Sequence, residues 1–234
     1  MTVTYNLFLE SGPKRRKTMV HVPDLLGCVA TGATTDEALA ATPDAIRAYR
    51  AFLARHGESI ATDAPIETAI IEHITEGDWL GNGSPYIHFR VDLAPLSSGE
   101  IGAYLDRVRW LHDDIAEWLT AHAADLDAAP LEGARVTRAI ALHVLGASGT
   151  YLAAALGGAP GFSRLHTQAE RGEVALPDAL RQAAQLIADR AISTTKEERA
   201  AVRQLSSGSY TMRKALRRML EHAWEHLAEL ERRR

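Results

Sequence analysis

The segment LRRMLEHAWEHL, residues 216–227, indicates that the C-terminal half of this chain is built from amphipathic helices. Its apolar positions recur at spacings of four, three, four and three residues, the period of one buried helix face: Leu216, Leu220, Ala223, Leu227 and Leu230. A stripe of this kind is stable only when other helices cover it. We therefore expect this segment to lie in a helical bundle.

The same segment carries two histidines on one flank of the apolar stripe. His222 and His226 are four residues apart, so their side chains lie one helical turn apart on the same side. Two imidazoles at this spacing can bind one metal ion without bending the helix. Two ligands are too few for a protein metal site, so the pattern predicts a third ligand on another element.

Two other histidines are candidates for the third ligand. His143 lies in the middle of the apolar stripe of a second segment, whose members are Val136, Ala139, Ile140, Val144, Ala147 and Tyr151. His112 lies on the stripe of another, whose members are Tyr104, Leu105, Val108, Ile115 and Leu119. A buried ring nitrogen needs a metal or a hydrogen-bond partner. The pattern does not choose between His112 and His143, and a hydrogen-bonded core histidine would explain either position.

Four helices are predicted in the C-terminal half of the chain, after the Pro-Leu-Ser-Ser-Gly segment at residues 95–99. We place them near residues 100–122, 132–156, 176–191 and 209–232. Ser97 and Ser98 are typical of a helix N-cap, Pro130 separates the first two helices, and a Gly- and Pro-rich segment at residues 157–161 ends the second. Connections of mixed length between amphipathic helices favour an antiparallel four-helix bundle.

The N-terminal half combines strands with one helix. Short β-like runs, the first of them weakly alternating, predict strands at residues 5–9, 18–22, 28–32, 66–74 and 86–93. A helix is predicted to begin at Thr34 or Thr35 and to end near Gly57. The role of residues 58–95 stays open between completion of the sheet and a connecting hairpin. The predicted fold class is thus an α+β N-terminal small domain, residues 1–95, followed by an all-α four-helix bundle, residues 96–234.

Composition restricts the class of protein. Hydrophobic residues make up 46% of the chain, charged residues 24%, and the net charge is -4. We therefore expect a globular protein with no nucleic-acid surface, and we interpret the basic run at residues 14–17 as a solvated hairpin tip. We see no apolar run near the roughly 20 residues of a membrane span and no signal peptide. The single cysteine, Cys28, excludes an internal disulfide and favours a cytoplasmic location.

Two segments resemble the DinB-like, or YfiT-like, metalloproteins. Residues 210–226, YTMRKALRRMLEHAWEH, are similar to the last helix of that family, and residues 138–144, RAIALHV, to its second helix. The resemblance covers residues 97–232 and implies a four-helix bundle with three histidine ligands. Carried over to this chain, the metal ligands are His143, His222 and His226, which leaves His112 a supporting or core role.

The resemblance also implies a cofactor and a reaction. The cofactor is one divalent transition metal, zinc or nickel first, with iron, manganese or cobalt as alternatives. Three neutral imidazoles leave open positions on a metal, so the site would be catalytic rather than structural. Proteins of this group include transferases and isomerases that use low-molecular-weight thiols. We therefore expect a metal-dependent thiol S-transferase, or a related hydrolase or isomerase, acting on a small-molecule substrate.

A second enzyme hypothesis comes from residues 222–226, which also fit the inverted zinc-protease motif His-x-x-Glu-His. Glu225 would then be the general base, and the third ligand would be a carboxylate further along the chain. Only eight residues follow His226, so this ligand has no obvious source. Glu225 is explained more simply as a helix-surface carboxylate near Arg218 or Lys214.

The N-terminal half resembles a second family. Residues 22–39, VPDLLGCVATGATTDEAL, are similar to the core of HicB-like antitoxin domains, and the resemblance covers residues 3–57. It implies a small α/β fold in which Pro23 and Gly27 shape a turn. The DNA-binding segment of such antitoxins has no counterpart here. The alternative function is therefore a non-catalytic, partner-binding or antitoxin-like regulatory protein, with a toxin-like protein or a second copy (a homodimer) as partner.

Overall fold

The computed structural model of the chain describes residues 2–128 and 135–233. The chain divides into two compact units: Met1–Leu93 with Gln204–Ser209, and Ala94–Arg203 with Tyr210–Arg234.

The first unit contains a four-stranded sheet and one long helix. Its elements are β1 (Val3–Ser11), β2 (Arg16–His21), β3 (Val29–Thr34), α1 (Thr35–Arg55) and β4 (Ile66–Ile74). The strand order is β3-β2-β1-β4, with β1–β2 and β2–β3 antiparallel and β4 parallel to β1. Thr34 begins α1, because its hydroxyl accepts a hydrogen bond from the Glu37 backbone N–H at 3.2 Å. The α+β composition predicted for the N-terminal part agrees with this arrangement.

The core of the first unit includes a buried guanidinium. Arg50, on α1, is fully buried. Its Nε donates to the Tyr5 hydroxyl at 3.0 Å, and a terminal nitrogen donates to the Ala64 carbonyl at 2.7 Å. These bonds offset the cost of removing the guanidinium from water.

The prediction of a strand at residues 86–93 is wrong. This segment contains a 3-10 helix at Arg90–Leu93, and Phe89 is buried with its ring 5.5 Å from that of Phe8. The Asp92 carboxylate accepts a hydrogen bond from the Phe89 backbone N–H at 3.0 Å. Local bonds of this kind compete with a strand ladder, and an alternating pattern does not reveal them.

The second unit is mostly helical. Its described helices are α2 (Ser98–Ala121), α3 (Thr137–Leu156), α4 (Phe162–Glu170), α5 (Leu176–Ile192), α6 (Lys196–Ala200) and α7 (Met212–Glu231). A two-stranded hairpin, β5 (Arg203–Leu205) and β6 (Gly208–Tyr210), precedes α7 in the chain, and its residues Gln204–Ser209 belong to the first unit. Ser97 and Glu100 form a capping box at the start of α2, which confirms a serine N-cap there.

The prediction of a four-helix bundle is wrong. The four predicted helices are present as α2, α3, α5 and α7, but α4, α6 and the hairpin interrupt them. With nine and five residues, α4 and α6 are too short to show a clear helical period. Pro130 and the predicted helix start at residue 132 lie outside the described residues.

The helix α3 is long and apolar enough to cross a membrane by length and composition alone. The expectation that no apolar run approaches this length is therefore wrong. Core helices meet the same test, and α3 packs against α4, α5 and α7 with Ile140, Val144 and Leu152 buried. The cytoplasmic location stays a prediction.

Candidate metal centre

The helices α3 and α7 bring three histidines together. His222 and His226 lie on α7, and His143 lies on α3, which packs against α7. The apolar stripe predicted for α7 is confirmed, because its five members are all buried. Burial of that stripe fixes the rotation of α7 and thereby directs the flank that carries the two histidines toward α3.

The ring nitrogens of this three-histidine cluster converge on a common point. The Nε2 atom of His222 lies 2.9 Å from Nε2 of His143 and 3.2 Å from Nε2 of His226. All three ligand atoms lie within 4.8 Å of one another. Two imidazole nitrogens bound to one tetrahedral zinc at roughly 2.0–2.1 Å are about 3.3 Å apart. The two nitrogen–nitrogen distances to His222 are thus close to those of a metal site.

A carboxylate behind His226 sets the direction of its lone pair. The Nδ1 atom of His226 donates to Glu229 Oε2 at 2.8 Å, and the other Glu229 oxygen accepts from Arg233 at 2.8 Å. A neutral imidazole has one ring proton, so this bond leaves Nε2 of His226 as a lone pair facing the cluster. Histidine ligands of metals usually have such a carboxylate partner.

The site favours the neutral form of all three histidines. Burial, together with the nearby charges of His226 and Arg218, lowers the pKa of His222 to about 2. Burial is also the main cause of the lowered pKa values of His143 and His226, although Glu229 acts in the opposite direction on His226. The three lone pairs are therefore available near neutral pH without loss of a proton.

A buried ion-pair group precedes His222 on α7. The Glu221 carboxylate accepts hydrogen bonds from Arg217 at 2.8 Å and from Arg218 at 2.6 Å, and all three side chains are buried. Burial opposes the charge of Arg218, but the Tyr151 hydroxyl, Glu221 and Glu225 raise its pKa above the ordinary value. Arg218 therefore stays positive and favours the neutral form of His222.

The placement of His143 in the middle of a buried stripe is wrong. His143 is exposed, and the buried face of α3 runs through Ile140, Val144, Ser148 and Leu152. Because α3 is apolar on most sides, its periodicity does not show which side faces the core. The consequence is that the three-histidine cluster has one exposed wall.

His112 lies apart from the cluster. It is 2% exposed on α2, and burial lowers its pKa to about 4. Its Nδ1 atom is buried and has no hydrogen-bond partner among the residues that the structure describes. The structure therefore places His143, and not His112, beside the pair on α7.

Glu229 was not among the functional residues predicted from the sequence, where Glu225 was the carboxylate considered beside His226. Glu229 follows His226 by three residues, a spacing at which helical side chains meet, so the signal was present in the sequence. Glu225 lies near enough to Arg218 to raise its pKa, in agreement with the simpler explanation of this residue.

Comparison with known proteins finds no family model, no curated protein and no solved structure that matches this chain. The resemblances to DinB-like and HicB-like proteins therefore stay predictions, and the functional argument rests on the geometry of the three-histidine cluster.

Proposed function

We propose that this protein binds one divalent transition metal ion through the Nε2 atoms of His143, His222 and His226. The observation that carries the proposal is the convergence of three neutral imidazoles whose nitrogens lie 2.9 Å and 3.2 Å apart along the cluster. Three lone pairs that face one another cannot all be satisfied by the few ring protons available, whereas one cation satisfies all three. Nitrogen donors of this kind suit zinc or nickel, and also iron, cobalt or manganese.

The cluster fits a catalytic site better than a structural one. Within the described ranges, the group of candidate ligands contains three histidines and no further cysteine or carboxylate. Glu229 already accepts a hydrogen bond from His226 Nδ1, so it supports a ligand instead of closing the site. Catalytic zinc sites commonly have three protein ligands and one position for water or substrate.

The proposed activity is transfer of a low-molecular-weight thiol to an electrophilic small molecule. A metal in the cluster would supply Lewis-acid activation of the thiol sulfur at neutral pH. The S–H bond breaks with loss of its proton to solvent, the sulfur forms a bond to the β-carbon of an activated alkene, and the π electron pair of that alkene moves to the α-carbon, which takes a proton from solvent. The exposed side of His143 gives the substrate access, and Glu229 holds the His226 proton on Nδ1 throughout.

Metal analysis of the untagged full chain tests the site. Zinc or nickel is offered to the parent protein and to His143→Ala, His222→Ala and His226→Ala, with His112→Ala as the matched histidine control. We expect about one equivalent of metal in the parent and in His112→Ala, and none in the other three variants. A parent without metal, or loss of metal in His112→Ala but not in His143→Ala, would overturn the ligand assignment.

The reaction class needs a separate measurement. The metal-loaded parent and His222→Ala are incubated with a low-molecular-weight thiol and an α,β-unsaturated acid, and the loss of free thiol is followed. We expect faster loss with the parent. Equal rates of thiol loss with the fully metal-loaded parent and with His222→Ala would refute S-transfer to this class of electrophile. The proposed metal site would be unaffected by that result.

A further inference from the structure

A cavity of about 460 Å³ lies between α3 and α4 in the second unit. Its α3 wall includes Gly146 and Thr150, and its α4 wall includes Phe162, Ser163 and His166. Small-molecule sites commonly have volumes of roughly 300–1,000 Å³. The cavity is therefore large enough for a small organic molecule.

The cavity begins one helical turn from His143. Gly146 follows His143 by three residues, so the two positions are neighbours on the surface of α3. A helical side chain covers the surface of the turn before it. A side chain at position 146 would thus lie over the turn that carries His143, and glycine places no side chain there.

Packing explains one glycine of this wall but not the other. A Cβ atom on Gly149 would lie 2.8 Å from the Phe162 ring, so this position requires glycine. A Cβ atom on Gly146 would meet only the His166 ring, at 3.4 Å, which is an ordinary contact. Glycine inside a helix costs about 1 kcal/mol relative to alanine. Close packing therefore does not require glycine at position 146.

The α4 wall presents hydrogen-bonding groups to the cavity. His166 and Thr167 follow Ser163 by three and four residues, so both lie beside Ser163 on one side of α4. None of these side chains hydrogen-bonds to another residue of the described chain. Asp, Glu, Lys and Arg are missing from the described lining, which also includes Leu145 and Phe162. Such walls suit an uncharged molecule with both polar and apolar parts.

We propose that this cavity holds the uncharged body of the substrate while its reacting atom lies at the three-histidine cluster. The inference rests on the proposed function of that cluster. His143 is exposed and Gly146 lines the cavity, so the two regions are neighbours along α3. His166 lies over Gly146 and contacts the bound molecule, so it is a binding residue of the cavity.

Two hydroxamates with the same metal-binding group test the cavity. Acetohydroxamate has only a methyl tail, whereas benzohydroxamate adds a phenyl ring that can enter the space between α3 and α4. Each is titrated into the cobalt-loaded full chain, and the change in the visible cobalt absorption gives the dissociation constant. We expect benzohydroxamate to bind about tenfold more tightly than acetohydroxamate. In the zinc-loaded protein, benzohydroxamate should also shift the ring resonances of His166.

Cavity-filling variants separate this inference from the metal site itself. Gly146→Leu and Ser163→Leu should each remove the advantage of benzohydroxamate, and in Ser163→Leu, whose substitution lies on α4, acetohydroxamate affinity and cobalt content should stay unchanged. Gly102→Leu is the matched control, because a side chain at Gly102 on α2 meets nothing within 4 Å. Ser163 is exposed, so that variant decides the question if Gly146→Leu does not fold.

Each outcome of this experiment supports or overturns a defined claim. No cobalt in the parent protein overturns the proposed function, and the cavity proposal with it. Bound cobalt with the same ratio of hydroxamate affinities in the parent, both filling variants and Gly102→Leu overturns the cavity proposal alone. The cavity proposal is supported if benzohydroxamate loses its advantage in Gly146→Leu and Ser163→Leu but keeps it in the parent and in Gly102→Leu.

Discussion

Replacement of Glu229 by glutamine tests how the candidate site orients its ligands. One Glu229 oxygen accepts the His226 Nδ1 proton at 2.8 Å, and the other accepts from Arg233 at 2.8 Å. Glutamine keeps the shape and one acceptor oxygen but removes the charge. The His226–Glu229 bond then changes from a charge-assisted to a neutral hydrogen bond, which is about half as strong.

The structure indicates the size of the effect. Loss of a carboxylate partner behind a metal-bound histidine typically costs about 10–100-fold in metal affinity. The Glu229 side chain is 32% exposed, so solvent screens part of its charge. We therefore expect the lower end of this range, about tenfold, which corresponds to about 1.4 kcal/mol.

The loss should not come from protonation of His226. Burial lowers the pKa of His226 and Glu229 raises it, so removal of Glu229 makes the imidazole less basic. Competition between metal and protons would thus decrease in Glu229→Gln. An increase in pH above neutral should therefore leave the difference from the parent protein in place.

Competition with a chromophoric zinc chelator measures the affinity of each variant. Glu231→Gln is the matched control, because Glu231 lies on the same helix and is exposed. We expect its affinity to stay within about twofold of the parent. Equal affinities for Glu229→Gln and Glu231→Gln would refute the reasoning, since His226 would then be oriented by packing alone.

Two stability predictions follow from buried positions elsewhere in the second unit. Burial lowers the pKa of His112 from 6.5 to about 4, so the unfolded chain binds more protons than the folded protein between these values. The free energy of unfolding should fall by about 3 kcal/mol between about pH 7 and about pH 4 through this residue. Urea denaturation at both pH values should show a smaller decrease for His112→Leu, and an equal decrease would contradict the burial of a neutral imidazole. Gly149→Ala should lose about 1–3 kcal/mol, because its Cβ would lie 2.8 Å from Phe162. Gly102→Ala, which meets nothing within 4 Å, should gain up to about 1 kcal/mol in the same assay, and a Gly149→Ala protein as stable as this control would contradict the packing.

Local sequence patterns predicted those elements whose own residues show a clear strand or helix pattern. The strand Ile66–Ile74 is present as β4, and the apolar stripe of α7 is buried at all five positions. The α7 stripe repeats over several helical turns, and β4 is rich in isoleucine, which favours strands, so the sequence displays both directly. The short helices α4 and α6 were not predicted, because a helix of fewer than three turns shows no distinct hydrophobic period in its sequence.

The prediction of a strand at residues 86–93 was wrong for a related reason. An alternating run predicts a strand only when no side chain bonds to the backbone nearby. Here the Asp92 carboxylate accepts from the Phe89 backbone N–H at 3.0 Å, and a 3-10 helix follows. Such a bond depends on the exact backbone path, which composition does not specify.

The sequence by itself determined the helical register of α7 and hence the adjacency of His222 and His226, because both depend only on spacing along one helix. It also contained Glu229 at the spacing that reaches His226. Only the tertiary structure decided that His143, rather than His112, lies beside this pair. The physical reason is that α3 is apolar on most sides, so its rotation depends on packing against α4, α5 and α7 rather than on its own pattern.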